Sequence, residues 1–260
     1  MTRPVRFGRQ PRKHDTRIPH MSALLAGKAS PPPPPSADYT VGMPADLGIM
    51  LNGTLGDCTC AALFHALQVW TFNAAAAMVT PPDSDVLALY EAACGYNPAD
   101  PSTDQGGDEQ AVLAYALNTG LQTDAGMHRL AAYVEIDPKN TDDVRRAIAA
   151  CGLVYIGFDV PQYLADYLTA PNSVWDLWHK ADNSIAGGHA VILAGYTSSG
   201  VRVISWGNYY TMTWDFFARR VDEVYALADA DWIKATGLSP GGLSLAALKA
   251  QMLALKAEGT

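Results

Sequence analysis

Asn52-Gly53-Thr54-Leu55-Gly56-Asp57-Cys58 is the stretch on which the fold turns, a glycine-rich loop that delivers a cysteine to the start of a helix. The run behind it, Cys58 to about Ala77, carries Ala61, Leu63, Phe64, Leu67, Val69 and Trp70 with no proline, and Asp57 stands where an N-cap belongs. A thiol in that position feels the positive end of the helix dipole, which favours the thiolate. A thiolate that attacks a carbonyl also needs a base, usually a histidine, and hydrogen-bond donors for the developing oxyanion. The backbone N–H of Cys58 is one such donor, and the side-chain amide of Asn52 is available as the second.

Six histidines compete for the role of base. His14 and His20 lie near the N-terminus. His65 sits two turns along the cysteine's own helix, His128 follows a loop, and His179 belongs to a Trp-rich loop. His189 follows Gly187-Gly188 at the head of an apolar strand, where a polar residue needs a reason. Taken singly, a helical cysteine is ordinarily core and a histidine at a strand start is ordinarily a hydrogen-bonded structural residue.

Working outward, helices are expected over Asp85–Cys94, capped near Asp83 or Ser84, over Glu109–Asn118, closed by Gly120, and over Thr141–Cys151. Gly95–Gly107 reads as a loop. Strands are expected over Leu153–Val160, His189–Tyr196 and Val201–Trp206, with a hairpin turn at Thr197–Gly200 and a fourth strand at Met212–Phe217. Helices in the first half and antiparallel strands in the second make an α+β class. Leu245, Leu248, Met252 and Leu255 form one apolar stripe on an expected helix over Leu243–Leu255, which packs on its own domain or on a partner subunit.

The 260 residues suit one large domain or two lobes, and 49% hydrophobic residues rule out global disorder. No apolar run is long enough for a spanning helix, and no secretion signal is visible, so a cytoplasmic or particle-bound location is expected. Four cysteines make no disulfide scaffold; Cys58 and Cys60 are too close to bridge, and no metal-ligand spacing stands out. The net charge of −8 conceals an arm, residues 1–30, at +6 on a remainder at −14. So acidic a body excludes broad nucleic-acid binding. The arm is free to remain a solvated tail, to dock on an acidic partner or nucleic acid, or to dock on its own body. Pro31–Pro35, an extended spacer, separates arm from body.

Several blocks in sequence order resemble the papain-like cysteine peptidases. Asn52 to Cys58 is similar to that family's Gln-Gly-x-x-Gly-x-Cys segment, and Asp104-Gln105-Gly106-Gly107 to its Cys-Asn-Gly-Gly loop, with a helix following. Leu153–Val160 resembles its Pro-Val-Ser-Val strand, Gly188-His189-Ala190-Val191 through Gly195-Tyr196 its histidine strand, and Ser205-Trp206-Gly207 its Ser-Trp-Gly. The blocks span about residues 44–220.

The resemblance implies a two-lobe papain-like domain over residues 44–236, with a helical lobe to about 135 and a β-rich lobe from 136. The basic arm of residues 1–43 precedes it and a tail of 237–260 follows. It implies Cys58 as nucleophile, His189 as base and Asn52 in place of the oxyanion glutamine. Gly106, Gly107 and Gly188 would present backbone to an extended peptide or protein substrate, and Trp206 would shield the histidine. No cofactor, metal or membrane is called for. Ile204 departs from the pattern, standing where the family has its orienting asparagine; Ser205, Asn183 and Asn208 are the candidate substitutes. The 43 residues ahead of the body are too few for the family's usual inhibitory propeptide. Two functions follow as expectations. One is a cysteine peptidase or related acyl-transfer enzyme. The other is a catalytically weak or inactive papain-like scaffold, a structural or virion-associated binding protein that assembles with partners through residues 1–35 and 243–255.

Overall fold

The structure, a computed structural model, describes residues 5–25, 32–165, 170–178 and 184–230. The expected terminal helix over 243–255 and the boundary near 237 lie outside the described residues, as do Asn183 and His179. The principal helices are α1 (Cys58–Ala75), α2 (Asp83–Cys94), α3 (Glu109–Asn118), α4 (Thr141–Cys151) and α5 (Trp214–Arg220). The principal strands are β1 (Leu130–Glu135), β2 (Val154–Pro161), β3 (Ile185–Tyr196), β4 (Gly200–Ser205), β5 (Asn208–Thr213) and β6 (Val221–Asp229).

The six strands form an antiparallel sheet in the order β1-β6-β2-β3-β4-β5. The two-residue strand Val174–Trp175 adds in parallel to β5, and Ala37–Asp38 pairs with the end of β3. Side-chain alternation divides the interior into two cores. Tyr155 of β2 and Ala190, Ile192 and Ala194 of β3 face α1, α2 and α3. Val154, Ile156 and Phe158, with Val191 and Leu193, face the other way, onto Val144 and Ile148 of α4 and Phe216 and Phe217 of α5.

Helix α1 is apolar around its circumference, so it must be covered on all sides. Every residue from Cys58 to Trp70 is buried. Two hydrogen bonds pin it to the strand half: Tyr155 Oη donates to Thr59 O at 3.0 Å, and Trp70 Nε1 donates to Cys151 O at 3.0 Å. The first holds the cysteine end against the sheet.

Several expectations need correction. Asp57 occupies the N-cap position of α1 but makes no side-chain cap bond; its carboxylate accepts from Asn52 Nδ2 instead. Pro82 rather than Asp83 or Ser84 occupies the N-cap position of α2, and Asn140, one residue ahead of the expected start at Thr141, caps α4 through its side chain. The strand expected over Met212–Phe217 ends at Thr213, whose hydroxyl accepts the Phe216 N–H and starts α5. Leu130–Glu135, assigned to the helical half, is a strand of the sheet.

His65 lies wholly inside α1's packing, with Nδ1 at 2.9 Å from Gln68 Oε1. Burial lowers its pKa to about 4, partly opposed by the Gln68 bond. A base held neutral by the fold contributes stability that is complete above its unfolded value near 6.5 and is lost as pH falls toward 4. At about 1.4 kcal/mol per pH unit, the loss reaches about 3 kcal/mol. Denaturant unfolding of His65→Gln should therefore show a flatter stability profile between pH 6.5 and 4 than the parent; parallel profiles would contradict a buried neutral imidazole.

Candidate active site

The loop before α1 is tied down by its own polar groups. Asn52 Nδ2 donates to Leu55 O and to Asp57 Oδ1, both at 3.1 Å. Asp104 Oδ1 accepts the Gly56 N–H at 2.9 Å and the Tyr90 hydroxyl at 2.7 Å, while that hydroxyl accepts the Gly106 N–H at 3.0 Å. This chain of bonds fixes the Gly106-Gly107 rim beside the cysteine loop. Both amide hydrogens of Asn52 are engaged within the loop, so the amide is a brace here and does not stand free as an oxyanion donor.

Cys58 and His189 come from opposite halves of the chain, and β3, which carries His189, packs along α1, which Cys58 begins. The backbone N–H groups of Ala190, the residue after His189, and of Gly8 are directed at the Cys58 sulfur. The His189 ring is fully buried. Its Nε2 lies 2.7 Å from Ser205 Oγ, and its Nδ1 has no hydrogen-bond partner among the described residues. Trp206 stacks on the imidazole at 4.3 Å between centroids, and Phe158 and Phe7 stand edge-on to it, each at 5.9 Å.

Of the three candidates for the missing orienting residue, Ser205 therefore contacts the histidine. Asn208 donates instead to Trp206 O at 3.0 Å, and Ile204 is buried in the core against the helices. Trp206 and Gly207 form the two-residue loop of the β4–β5 hairpin, with φ of 47° and 74°. Those values suit a type I′ turn, which strongly prefers Asn or Gly at the first position. A tryptophan held there is a strained choice whose return is the ring stacked on His189.

The described part of the basic arm, residues 5–25, is not a solvated tail. It runs through the site. Gly107 N–H donates to Gly8 O at 2.7 Å, and Gln10 N–H donates to Gly107 O at 2.9 Å, so the arm and Gly107 form a parallel bridge centred on Arg9. Arg9 N–H donates to Gly188 O at 3.0 Å, and Gln10 Nε2 reaches Gly106 O at 3.3 Å. Every backbone group assigned to an extended substrate is thus used by the chain itself. The fit is close: a Cβ on Gly8 would stand 1.8 Å from Gly56 O, and one on Gly188 would stand 2.5 Å from Arg9 O.

Charge holds the arm in place as well. Arg6 pairs with Asp104 at 3.0 Å, Lys13 with Asp108 at 3.3 Å, and Arg12 and His20 with Glu135. Arg9 is buried. Its guanidinium meets Glu109 at 3.1 Å, Glu223 at 2.8 Å, Asp222 at 2.7 Å and Asp159 at 3.8 Å. Burial disfavours its charge, but Glu109, Asp222 and Glu223 outweigh burial and hold it protonated.

Burial sets the electrostatics of both groups. Burial pushes the Cys58 thiol up to about 12 despite the Ala190 and Gly8 N–H groups, and burial brings His189 down to about 3. Near neutral pH both are uncharged. The dipole advantage expected for a thiolate at a helix start is overridden while the arm covers it. Arg9, Gly8, Phe7, Glu109 and Glu223 were not singled out from sequence; the signal available for them was the opposite charge of arm and body.

Among the described residues, no group of three or more His, Cys, Asp or Glu side chains is placed to hold a metal ion, and no helix is long and apolar enough to cross a membrane.

No family model and no curated protein matches the chain. Solved structures do. Xylellain, a cysteine protease from Xylella fastidiosa, superposes with a TM-score of 0.64 at 17% identity, over 88% of this chain and 97% of that one. Procathepsin B S9 from Trypanosoma congolense gives 0.56 at 12% identity, over 86% of each chain. The cysteine protease CMS1MS2 from Carica candamarcensis, solved in complex with E-64, gives 0.54 at 13% identity, over 75% of this chain and 98% of that one. The protein therefore has the fold of the papain-like cysteine proteases.

Proposed function

We propose that the chain is a cysteine peptidase held latent by its own N-terminal arm. The observation that carries this reading is the segment of residues 8–10 bridged to Gly107 and Gly188, whose backbone groups an extended peptide substrate would use. The arm is not itself in position to be cut. At the sulfur it presents the Gly8 N–H, while the Gly8 carbonyl is turned to the Gly107 N–H. Attack needs a carbonyl carbon where the arm offers a nitrogen.

With the arm displaced, water reaches Cys58 and His189 and the burial that keeps both neutral is relieved. The thiol proton then passes to His189 Nδ1, the nitrogen left without a partner, while Ser205 Oγ holds Nε2. The sulfur adds to the substrate carbonyl carbon, and the C=O electron pair moves onto oxygen near the helix N-terminus. Collapse of this adduct breaks the C–N bond, and the amine leaves with the proton from His189. Water then resolves the thioester to a carboxylic acid and returns the thiol. Ser205 supplies the orientation that Ile204 cannot. Asn52 acts as an oxyanion donor only if release of the arm frees it from Leu55 and Asp57. The alternative, an assembly scaffold anchored by its arm, would require the arm to leave the contacts it makes with its own body.

Gly8→Ala should open the site, because the added methyl collides with backbone that has no room to yield. The expected result is iodoacetamide labelling of Cys58 at least tenfold faster than in the parent, with Cys60, Cys94 and Cys151 unchanged. Equal rates in parent and variant would count against latency. In the opened chain, His189→Ala should lower peptide hydrolysis by about 10²- to 10⁴-fold, the usual range for loss of a general base. Ser205→Ala should lower kcat/KM about tenfold, or about 1.4 kcal/mol of transition-state stabilisation. Undiminished turnover in Ser205→Ala would remove that residue from the mechanism.

A further inference from the structure

Two cysteines that the mechanism does not use face each other beneath the groove. Cys60, in the first turn of α1, is fully buried, and Cys94, the last residue of α2, is partly exposed. Their sulfurs lie 3.9 Å apart, and both thiols are free. Helix α2 stops at Cys94 because Gly95 takes a left-handed conformation, with φ of 76°, and turns the chain away. The Cys94 sulfur rests against the rim, since a Cβ on Gly107 would stand 2.7 Å from it. One turn earlier on the same helix is Tyr90, whose hydroxyl accepts the Gly106 N–H at 3.0 Å and donates to Asp104 at 2.7 Å. The helix that carries Cys94 therefore also holds the Gly106-Gly107 rim, while Cys60 stands two residues behind Cys58 on α1.

We propose that Cys60 and Cys94 form a reversible oxidation site, closed to a disulfide by a peroxide and reopened by a small thiol, whose bond braces the rim of the groove. The site stands whether or not the chain is a peptidase. Cys94 meets the oxidant first, because Cys60 and Cys58 are buried. Burial also pushes the Cys60 thiol well above its ordinary value, which keeps it from reacting with the oxidant directly. The Cys94 sulfur attacks one peroxide oxygen and the O–O bond breaks. The departing hydroxide takes the thiol proton as water and leaves a sulfenic acid. The Cys60 sulfur then attacks the Cys94 sulfur, the S–O bond breaks, and hydroxide leaves with the Cys60 proton as a second water. Two thiols are oxidised and one peroxide is reduced. Cys94 ends its helix, where the backbone yields most readily, so the sulfurs can close to the about 2.05 Å of a disulfide. Two molecules of a thiol such as glutathione reverse the bond through a mixed disulfide at the exposed Cys94. Closed, the bond ties α2, and with it Tyr90 and Gly106, to the first turn of α1.

The test treats the reduced, full-length chain with hydrogen peroxide, then denatures it, alkylates it with iodoacetamide and cleaves it before aspartates. That cleavage parts Asp57–Pro82 from Asp85–Ala99, and fragmentation tells Cys58 from Cys60. The expected product is an intrachain link from Cys60 to Cys94, with Cys58 and Cys151 alkylated, and dithiothreitol should restore all four thiols. The oxidised chain should melt several degrees higher, and its Gly106 N–H should exchange about tenfold more slowly. Cys94→Ser, at the partly exposed position, should show neither the link nor the rise in Tm; Cys60→Ala should do the same and serves as the second variant. Four alkylated cysteines, a link to Cys58 or between chains, or a Cys94 carried on to sulfinic acid with Cys60 alkylated would overturn the site. A Cys60–Cys94 link with Gly106 exchanging as before would overturn the brace.

Discussion

The guanidinium of Arg9, enclosed by Glu109, Glu223, Asp222 and Asp159, is the contact to which the rest of the site answers. Removing one member of a buried ion group typically costs 3–5 kcal/mol, because the remaining charges lose their compensation. With Arg9 anchored, Gly8 and Gln10 reach Gly107, Phe7 closes over the imidazole, and Cys58 and His189 are sealed from water as a neutral pair.

The second constraint is the sheath around α1. A helix apolar on every side has to be enclosed, and enclosure brings Thr59 under Tyr155 and the cysteine beside Ala190 of β3. Cys58 and His189 are placed by core packing, and the polar bonds of Asn52, Asp57, Asp104 and Tyr90 then set the fine geometry of the loop and its rim. Trp206 is held at positive φ in the Trp206-Gly207 turn, where the indole covers His189.

Much of this was legible in the residues. The bounds of α3 and α4 match expectation, since Gly120 and Gly152 end them and their apolar spacing is helical. Cys58 and His189 stood out through their glycine-rich approaches. What was hidden is long-range. Met212–Phe217 has the composition of a strand, yet a Thr213 cap starts a helix inside it. Asn52 has the chemistry of a donor, but only its partners show that it is used as a brace. The +6 arm and the −14 body stated an attraction without an address. Arg9 finds its place because Gly157 leaves a void between two buried glutamates, a fact of packing that no local pattern carries.

Amide hydrogen exchange at Gly107 and Gln10 is the most direct measurement of the seated arm. Both N–H groups should be strongly protected in the parent chain and should exchange far faster in Arg9→Ala, with the amides of β2 and β3 unaffected. Rapid exchange of both in the parent would mean that the arm does not occupy the groove, and would contradict the account.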